Sequence, residues 1–157
     1  MAAFLILKYT LINFMNSISD AELIISIKPH WVEKIFSGVK TVELRKTFCK
    51  KDIEGSNAII YASAPVSAVV GVVKIKSVDV SDINGLWQTH KGSIGATKEQ
   101  FFEYFNGKGS GVALTLVEPE KVNNIELDEL RKGCRFNPPV SWRYIKDYEL
   151  CFIKNYA

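Results

Sequence analysis

Between residues 25 and 46 the sequence combines an apolar run, a short segment of helical periodicity and a run of alternating charged and apolar residues. Pro29 suits the first turn of a helix, where its missing N–H is not needed, and Gly38 suits the left-handed residue that follows a helix end. The segment therefore predicts a strand, a short helix and a second strand in immediate succession. This arrangement favours a fold that mixes α and β elements.

The second of these strands carries an unusual number of charges. Because side chains alternate along a strand, Thr41, Glu43 and Arg45 share one face, while Lys40, at the end of the preceding turn, can point to either side. A lysine, a glutamate and an arginine within six residues are too many charges for an ordinary core strand. The pattern indicates a site at a pocket edge; the alternative is an internal ion pair, Glu43–Arg45 or Lys40–Glu43, that orders the strand.

Hydrophobic periodicity and turn residues predict the remaining elements. Thr97 and Gln100 form a capping-box pattern at the start of a helix, and Gly71 suggests a bulge within a long strand. Gly133 is a candidate helix end. The predicted strands are 22–28, 39–45, 57–64, 66–78, 112–117 and 148–153; the predicted helices are 29–37, 81–90, 97–105 and 126–132; a loop is predicted at 48–56.

The chain has 157 residues, of which 47% are hydrophobic, and this favours one globular domain. We expect residues 1–20 to be a poorly ordered N-terminal extension, with Met15 as an alternative start, and residues 21–157 to form the domain. About six strands with short, irregularly placed helices predict an α+β fold. The architecture that fits is a mixed or closed β-barrel of about six strands with helices packed around it.

Several kinds of chemistry find no motif in the sequence. It has no phosphate-binding P-loop, no HExxH zinc motif and no GxSxG nucleophile elbow. The three cysteines are widely spaced, and His30 and His90 are the two histidines, so we expect no metal site, no disulfide framework and no cofactor. The formal charge of +3 is compatible with nucleic-acid binding without requiring it.

The residues from 26 to 46 resemble the opening of an ASCH domain, a relative of the PUA RNA-binding fold. The family motif Gly-x-Lys-x-x-Glu-x-Arg is matched by Gly38, Lys40, Glu43 and Arg45. Segments similar to later parts of the family follow in order at 59–71, 86–87, 101–111 and 138–144. The resemblance covers roughly residues 22–153, and it implies a PUA-like β-barrel with a cleft that this motif partly lines.

The resemblance also implies a function related to RNA. We expect an RNA- or nucleotide-binding protein, with a role in RNA-related or transcription-related regulation. The alternatives are a single-stranded RNA nuclease and an N4-acetylcytidine amidohydrolase, whose lysine is matched by Lys40. The threonine that the amidohydrolase branch has three residues later is Glu43 here. In an enzyme, a desolvated Lys40 would act as base or nucleophile and Glu43 as general acid or base.

Cationic and aromatic side chains complete the candidate site. Arginine and lysine can meet a phosphate or a base edge, and aromatic rings can stack on bases; alternatively, each tryptophan packs in the core. The candidate ligand- or RNA-binding residues are Lys28, Lys40, Glu43, Arg45, Ser63, Trp87, Arg143 and Tyr144, with Tyr61 and Trp142 as further stacking candidates. The expected partner is RNA or a modified nucleoside or nucleotide. Without a helix-turn-helix we expect no sequence-specific DNA reading, and we expect a cytoplasmic protein with no membrane contact.

Overall fold

A mixed β-sheet lies at the centre of the protein. The structure, a computed structural model, describes residues 1–49 and 52–156, apart from the side chains of residues 10, 11 and 13–16. The strands are β1 (Ala21–Ile27), β2 (Val42–Arg45), β3 (Asn57–Ala62), β4 (Ala68–Asp82), β5 (Ser110–Glu126) and β6 (Trp142–Tyr144). Their spatial order is β2-β5-β4-β3-β1-β6. The β1/β3 pair is parallel and the other neighbouring pairs are antiparallel.

Helices flank this sheet within the described residues. They are α1 (Ala2–Ser19), α2 (Pro29–Phe36), α3 (Ile83–His90), α4 (Lys98–Tyr104), α5 (Leu127–Cys134) and α6 (Asp147–Tyr156). The predicted start of α2 at Pro29 is confirmed, and Gly38 takes a φ of +80° just after the helix ends. Thr97 and Gln100 form the predicted capping box of α4.

The longest strands, β4 and β5, form an antiparallel pair that supports α2. The predicted irregularity at Gly71 is confirmed, because the register of β4 shifts between Val69 and Gly71 against β5. A Cβ atom at Gly71 would lie 2.4 Å from Cζ of Phe36 and 2.5 Å from the carbonyl oxygen of Glu120. The missing side chain therefore allows α2 to pack directly on the sheet.

The sheet curls into a half-barrel. β2 and β1 are four positions apart in the sheet order, yet Arg45 at the end of β2 donates a hydrogen bond to the carbonyl oxygen of Ser26 in β1. The α+β fold with six strands is thus as predicted, although this side chain, and not a strand pair, links the two ends of the sheet.

Three apolar clusters hold the layers together. The inner cluster includes Leu23, Ile25, Ile60, Val73 and Ile75, together with Val32 and Ile35 of α2. A second cluster packs the opposite face of the sheet, with Ile24, Ile59 and Val72, against Leu130 of α5 and Ile153 of α6. The third lies beneath α3 and α4, with Leu86, Ile94, Phe101 and Phe105. β1 contributes to both faces, and this explains its continuous apolar run.

The predicted closing strand at 148–153 is wrong, because this segment lies in α6. Both carboxylate oxygens of Glu149 accept hydrogen bonds from Arg143 in β6, and one also accepts from the backbone N–H of Lys146. These bonds fix the first turn of the helix, and Ile153, one turn later, is buried. A short apolar run does not by itself distinguish a strand from a helix.

The helix end predicted at Gly133 also differs from the structure. Gly133 does not end α5: the helix continues through Cys134, and Arg135 adopts the left-handed conformation, with a φ of +52°. A Cβ atom at Gly133 would lie 2.0 Å from the ring of Phe152, so this glycine allows α6 to pack closely. Residues 1–20 contain α1, whose last turn buries Ile18, and the expected poor order of this segment stays a prediction. The domain boundary at residue 21 stays a prediction.

The connections follow the sequence more closely. The predicted loop 48–56 has neither helix nor strand in its described part, 48–49 and 52–56, and the remainder of this prediction lies outside the described residues. Pro65, in a cis peptide bond with Ala64, separates β3 from β4. Nowhere in the described chain does a helix have both the length and the apolar character needed to cross a membrane.

Replacing Glu149 with alanine should destabilise the protein by about 3–5 kcal/mol, because it leaves Arg143 without its buried carboxylate partner. Urea unfolding followed by circular dichroism measures this loss. The control is Glu103→Ala on the exposed side of α4, which should change stability by less than ~0.5 kcal/mol. Equal unfolding midpoints for the two variants would contradict the structural role of Glu149.

Candidate functional site

A cleft of about 520 Å³ opens between β2, α2, α4 and the segment that precedes β6. Its described lining combines cationic, hydroxyl and aromatic side chains. The lining residues are Ser26, Ile27, Lys28, Trp31, Lys40, Glu43, Leu44, Arg45, Lys46, Thr47, Ser63, Ala96, Gln100, Phe101, Tyr104, Val140 and Ser141. The volume is within the range of small-molecule sites in proteins, roughly 300–1,000 Å³.

Strand alternation positions the charged residues of β2. Val42 and Leu44 pack into the cluster beneath α3 and α4, so Glu43 and Arg45 point to the opposite side, into the cleft. Lys40 lies just before the strand, where the sequence left its direction open. Its Nζ atom lies on the side of Glu43, and all three charged side chains are buried.

These side chains form a continuous ionic cluster. Nζ of Lys40 lies 3.2 Å from Oε2 of Glu43, and Nη2 of Arg45 lies 2.7 Å from Oε1 of the same carboxylate. Nζ of Lys40 also donates to the carbonyl oxygens of Val42 and Ile94, at 2.7 and 3.1 Å. One carboxylate is therefore shared by two cations, and the cluster carries a formal charge of +1.

Arg45 extends this cluster to the far side of the cleft. Nη2 donates to the carbonyl oxygen of Ser26 at 2.9 Å, while Nη1 donates to both the carbonyl and hydroxyl oxygens of Ser141, at 3.2 and 3.0 Å. Nε of Arg45 is buried and makes no hydrogen bond to another described residue. A buried donor without a protein partner is unusual.

The environment of Lys40 favours release of its proton. Burial lowers the pKa of its ammonium group, because the charged form loses hydration, and the carboxylate of Glu43 partly opposes this effect. Arg45 and Lys34 add to the lowering by charge repulsion. The cluster thus holds an ammonium group that is a stronger acid than an ordinary lysine, 3.2 Å from a carboxylate that can accept a proton.

The cleft has a strong excess of positive charge. Lys28, Lys40, Arg45 and Lys46 line it, and Glu43 is the one carboxylate among its described lining residues, so the local formal charge is +3. An excess of positive charge in a cleft attracts an anionic ligand and accelerates its binding. A phosphate group carries the charge and the acceptor oxygens that fit these donors.

The structure brings together five of the candidate residues: Lys28, Lys40, Glu43, Arg45 and Ser63 line the cleft. The other three lie elsewhere. Trp87 packs on Phe101 and Phe102; Arg143 binds Glu149; and Tyr144 packs edge-on against Trp142, with ring centroids 5.7 Å apart. Both expected ion pairs of Glu43 are also present, so the ion-pair interpretation and the pocket interpretation describe the same residues.

Sequence reasoning missed several lining residues. Trp31 belongs to the apolar face of α2, yet it also borders the cleft, with Nζ of Lys40 5.3 Å from its ring centroid. Tyr104 lies three residues after Phe101 in α4, and no local sequence pattern marks it as a cleft residue. Ser141 belongs to the cleft because it contacts Arg45, and these two residues are 96 positions apart in the sequence. The similarity of segments 101–111 and 138–144 to the family was the available signal.

Among residues 1–49 and 52–156, no group of three or more histidine, cysteine or acidic side chains is arranged to hold a metal ion. The chemistry that the described cleft residues can provide is cation–phosphate contact, donation by hydroxyl and guanidinium groups, and proton exchange between Lys40 and Glu43.

Comparisons with known proteins agree with this architecture. The model of the ASCH domain matches residues 25–131. An ASCH domain-containing ribonuclease from Zymomonas mobilis is 30% identical over 137 residues, which span 86% of this chain and 92% of the relative. A crystal structure of ASCH from Zymomonas mobilis superimposes with a TM-score of 0.80 at 28% identity, covering 87% of this chain and 95% of that chain. A Pseudomonas syringae protein shares the fold, with a TM-score of 0.53 at 15% identity, covering 87% of this chain and 99% of that chain.

Replacing Arg45 with lysine should destabilise the protein by about 2–4 kcal/mol, although the charge is kept, because one ammonium group cannot contact Ser26, Ser141 and Glu43 together. Urea unfolding measures the change. Arg131→Lys on the exposed surface of α5 is the matched control and should be nearly neutral. Wild-type stability of Arg45→Lys would show that the closing contacts contribute little.

Proposed function

The chain belongs to the ASCH domain family, and on that premise we propose that it binds single-stranded RNA in the cleft and cleaves it. The observation that carries this proposal is the buried cluster of Lys40, Glu43 and Arg45, whose net positive charge faces a cleft of nucleotide-binding size. The ribonuclease relative, similar over nearly its whole length, supports catalysis in addition to binding.

The binding step depends on charge. Lys28 and Lys46 are exposed at the cleft, where they can meet the phosphates that approach it, while the buried guanidinium group of Arg45 lines the cleft deeper inside. A phosphate beside Lys40 and Arg45 would neutralise the remaining charge of the cluster. Binding that relies on several lysine and arginine contacts weakens steeply with salt.

The cleavage step needs a base, an acid and stabilisation of the charged phosphorus centre. The 2′-hydroxyl group of the RNA attacks the adjacent phosphorus, and its proton passes to the carboxylate of Glu43. The bond from phosphorus to the 5′-oxygen breaks, and that oxygen takes a proton from the ammonium group of Lys40. The products are a 2′,3′-cyclic phosphate and a 5′-hydroxyl. Proton transfer between Glu43 and Lys40, 3.2 Å apart, restores the starting state.

The geometry favours RNA cleavage over amide hydrolysis. An amidohydrolase that uses lysine as a nucleophile needs an uncharged amine, whereas here Glu43 stands in the position of the amidohydrolase branch's threonine and forms an ion pair with Lys40. RNA binding without turnover is the second candidate, because the same cations serve both roles. A part in RNA-related or transcription-related regulation and a cytoplasmic location stay predictions.

Lys40→Met should reduce the cleavage rate of a single-stranded RNA about 10²- to 10³-fold, because methionine fills a similar space but has no proton to donate. Gel or mass-spectrometric analysis of a fluorescent oligonucleotide measures the rate and detects the cyclic phosphate. Lys146→Met is the control, because Lys146 is exposed and contacts Tyr148 outside the cleft.

A matched oligonucleotide with a single 2′-deoxy residue at the cleavage position should stay intact. Cleavage of this oligonucleotide would exclude the 2′-hydroxyl mechanism. If the wild-type protein binds RNA but does not cleave it, the second candidate, RNA binding without turnover, is the function. Absence of both binding and cleavage would refute the proposal.

RNA affinity should fall as the pH rises, and the fall should begin below pH 10.5. The reason is that burial lowers the pKa of Lys40 from 10.5, the value of an ordinary lysine. The ammonium group attracts phosphate while it is protonated, and this attraction is lost as the pH rises through its pKa. Titration with a 2′-O-methyl oligocytidine avoids strand cleavage. Burial raises the pKa of Tyr104, so its phenol ionises at a higher pH than that of an ordinary tyrosine.

Lys40→Arg should retain affinity to a higher pH than the wild type, because guanidinium groups stay charged in this range. Identical pH profiles for the two proteins would assign the alkaline loss of affinity to another group.

A further inference from the structure

We propose that Tyr104 and Lys46 form a base-stacking subsite on one wall of the cleft, which takes one unpaired nucleobase of a single-stranded RNA. This inference rests on the proposed function and names the structural form of its substrate. The aromatic side chains of the cleft differ in how they are held and in which side chains cover their rings.

Tyr104 is fixed in place but remains accessible. Its hydroxyl group donates to the carbonyl oxygen of Leu44 at 3.3 Å, and the ring of Phe105 packs edge-on, with centroids 4.8 Å apart. The capping box of Thr97 and Gln100 stabilises the helix that carries it. Despite these contacts, 39% of Tyr104 is exposed. A ring that is already ordered loses little conformational entropy when a base stacks on it.

An exposed cation lies over the ring of Tyr104. Nζ of Lys46 lies 5.2 Å from the ring centroid, and the Lys46 side chain is exposed. An exposed cation–π contact is weaker than stacking of a base on an aromatic ring, so a base can displace the ammonium group. Lys46 would then be free to contact a phosphate beside the stacked base, and both residues would contribute to binding.

The other aromatic side chains of the described cleft are less suited to this role. The ring of Trp31 lies 4.3 Å from that of His30, and Nζ of Lys34 lies 4.8 Å from its centroid. Lys34 is in turn held by a 2.6 Å hydrogen bond to the carbonyl oxygen of Gly95. Phe101 is fully buried. Among the aromatic rings that line the described cleft, Tyr104 is therefore the one covered by an exposed side chain, that of Lys46.

This subsite favours single-stranded RNA over double-stranded RNA. A base inside a duplex is stacked on its neighbours and paired, so it cannot lie on Tyr104 unless the duplex opens. Stacking on a ring tolerates any base, because every base has a π-face. We therefore expect strong discrimination between single- and double-stranded RNA and little discrimination among sequences from this subsite.

The test measures equilibrium binding of two strands of equal length, a 2′-O-methyl oligonucleotide and its abasic counterpart, by fluorescence anisotropy. Tyr104→Ala should bind the base-bearing strand roughly 5- to 100-fold more weakly than the wild type, with unchanged affinity for the abasic strand. Tyr104→Phe, which keeps the ring, should bind like the wild type. Thermal unfolding verifies that each variant is folded.

Tyr148→Ala is the matched control. Tyr148 is 52% exposed and has Nζ of Lys146 5.7 Å from its ring centroid, so it reproduces the tyrosine–lysine pair outside the cleft. Its removal should leave both affinities unchanged, and an effect equal to that of Tyr104→Ala would overturn the subsite.

The remaining outcomes separate this inference from the proposed function. Wild-type affinity of Tyr104→Ala for the base-bearing strand would overturn the subsite and leave RNA binding standing. Equal losses for the two strands would also overturn it, because Tyr104 would then act through the shape of the cleft. A wild-type protein that binds neither strand would refute the proposed function and the subsite together.

Discussion

The guanidinium group of Arg45 joins the two ends of the sheet, and the cleft depends on this junction. β2 and β6 are the outermost strands, and the hydrogen bonds from Arg45 at the end of β2 reach Ser26 in β1 and Ser141 just before β6. A backbone ladder in this place would seal the barrel and fill the space beside Lys40. Closure by side chains leaves that space open, so the guanidinium group that helps to complete the fold also forms a wall of the site.

The energetic balance of this junction explains the arrangement of the charges. Desolvating three ionised side chains is costly, and a single carboxylate between two cations offsets that cost through short ion pairs and hydrogen bonds to backbone oxygens. The remaining positive charge is not neutralised by a described neighbour in the cleft. A cluster of this kind is less stable alone than with an anion, and this difference is available as binding free energy.

Local patterns were sufficient for much of this architecture and insufficient for its long-range contacts. Pro29, Gly38 and the Thr97–Gln100 capping box each act on neighbouring backbone, so their effects were readable from a few residues. The charged strand likewise indicated a pocket. In contrast, the helix at 147–156 depends on the pairing of Glu149 with Arg143, and Tyr104 enters the cleft only because α4 packs beside β2. Such contacts depend on the assembled fold, and the family resemblance supplied the part of this information that periodicity could not.

The close approach at Gly71 has a consequence for how this scaffold can vary. Phe36 rests on the glycine from above, and the same helix carries Trp31 at the rim of the cleft. Even a methyl group at position 71 would collide with the ring of Phe36 and with the carbonyl oxygen of Glu120, so the end of α2 or the neighbouring strand β5 would have to shift. The position of α2, and with it that of Trp31 beside the cleft, thus depends on a residue that is not among the described lining residues. A substitution at this position would act on the cleft through the placement of α2, while every charged group of the site kept its identity.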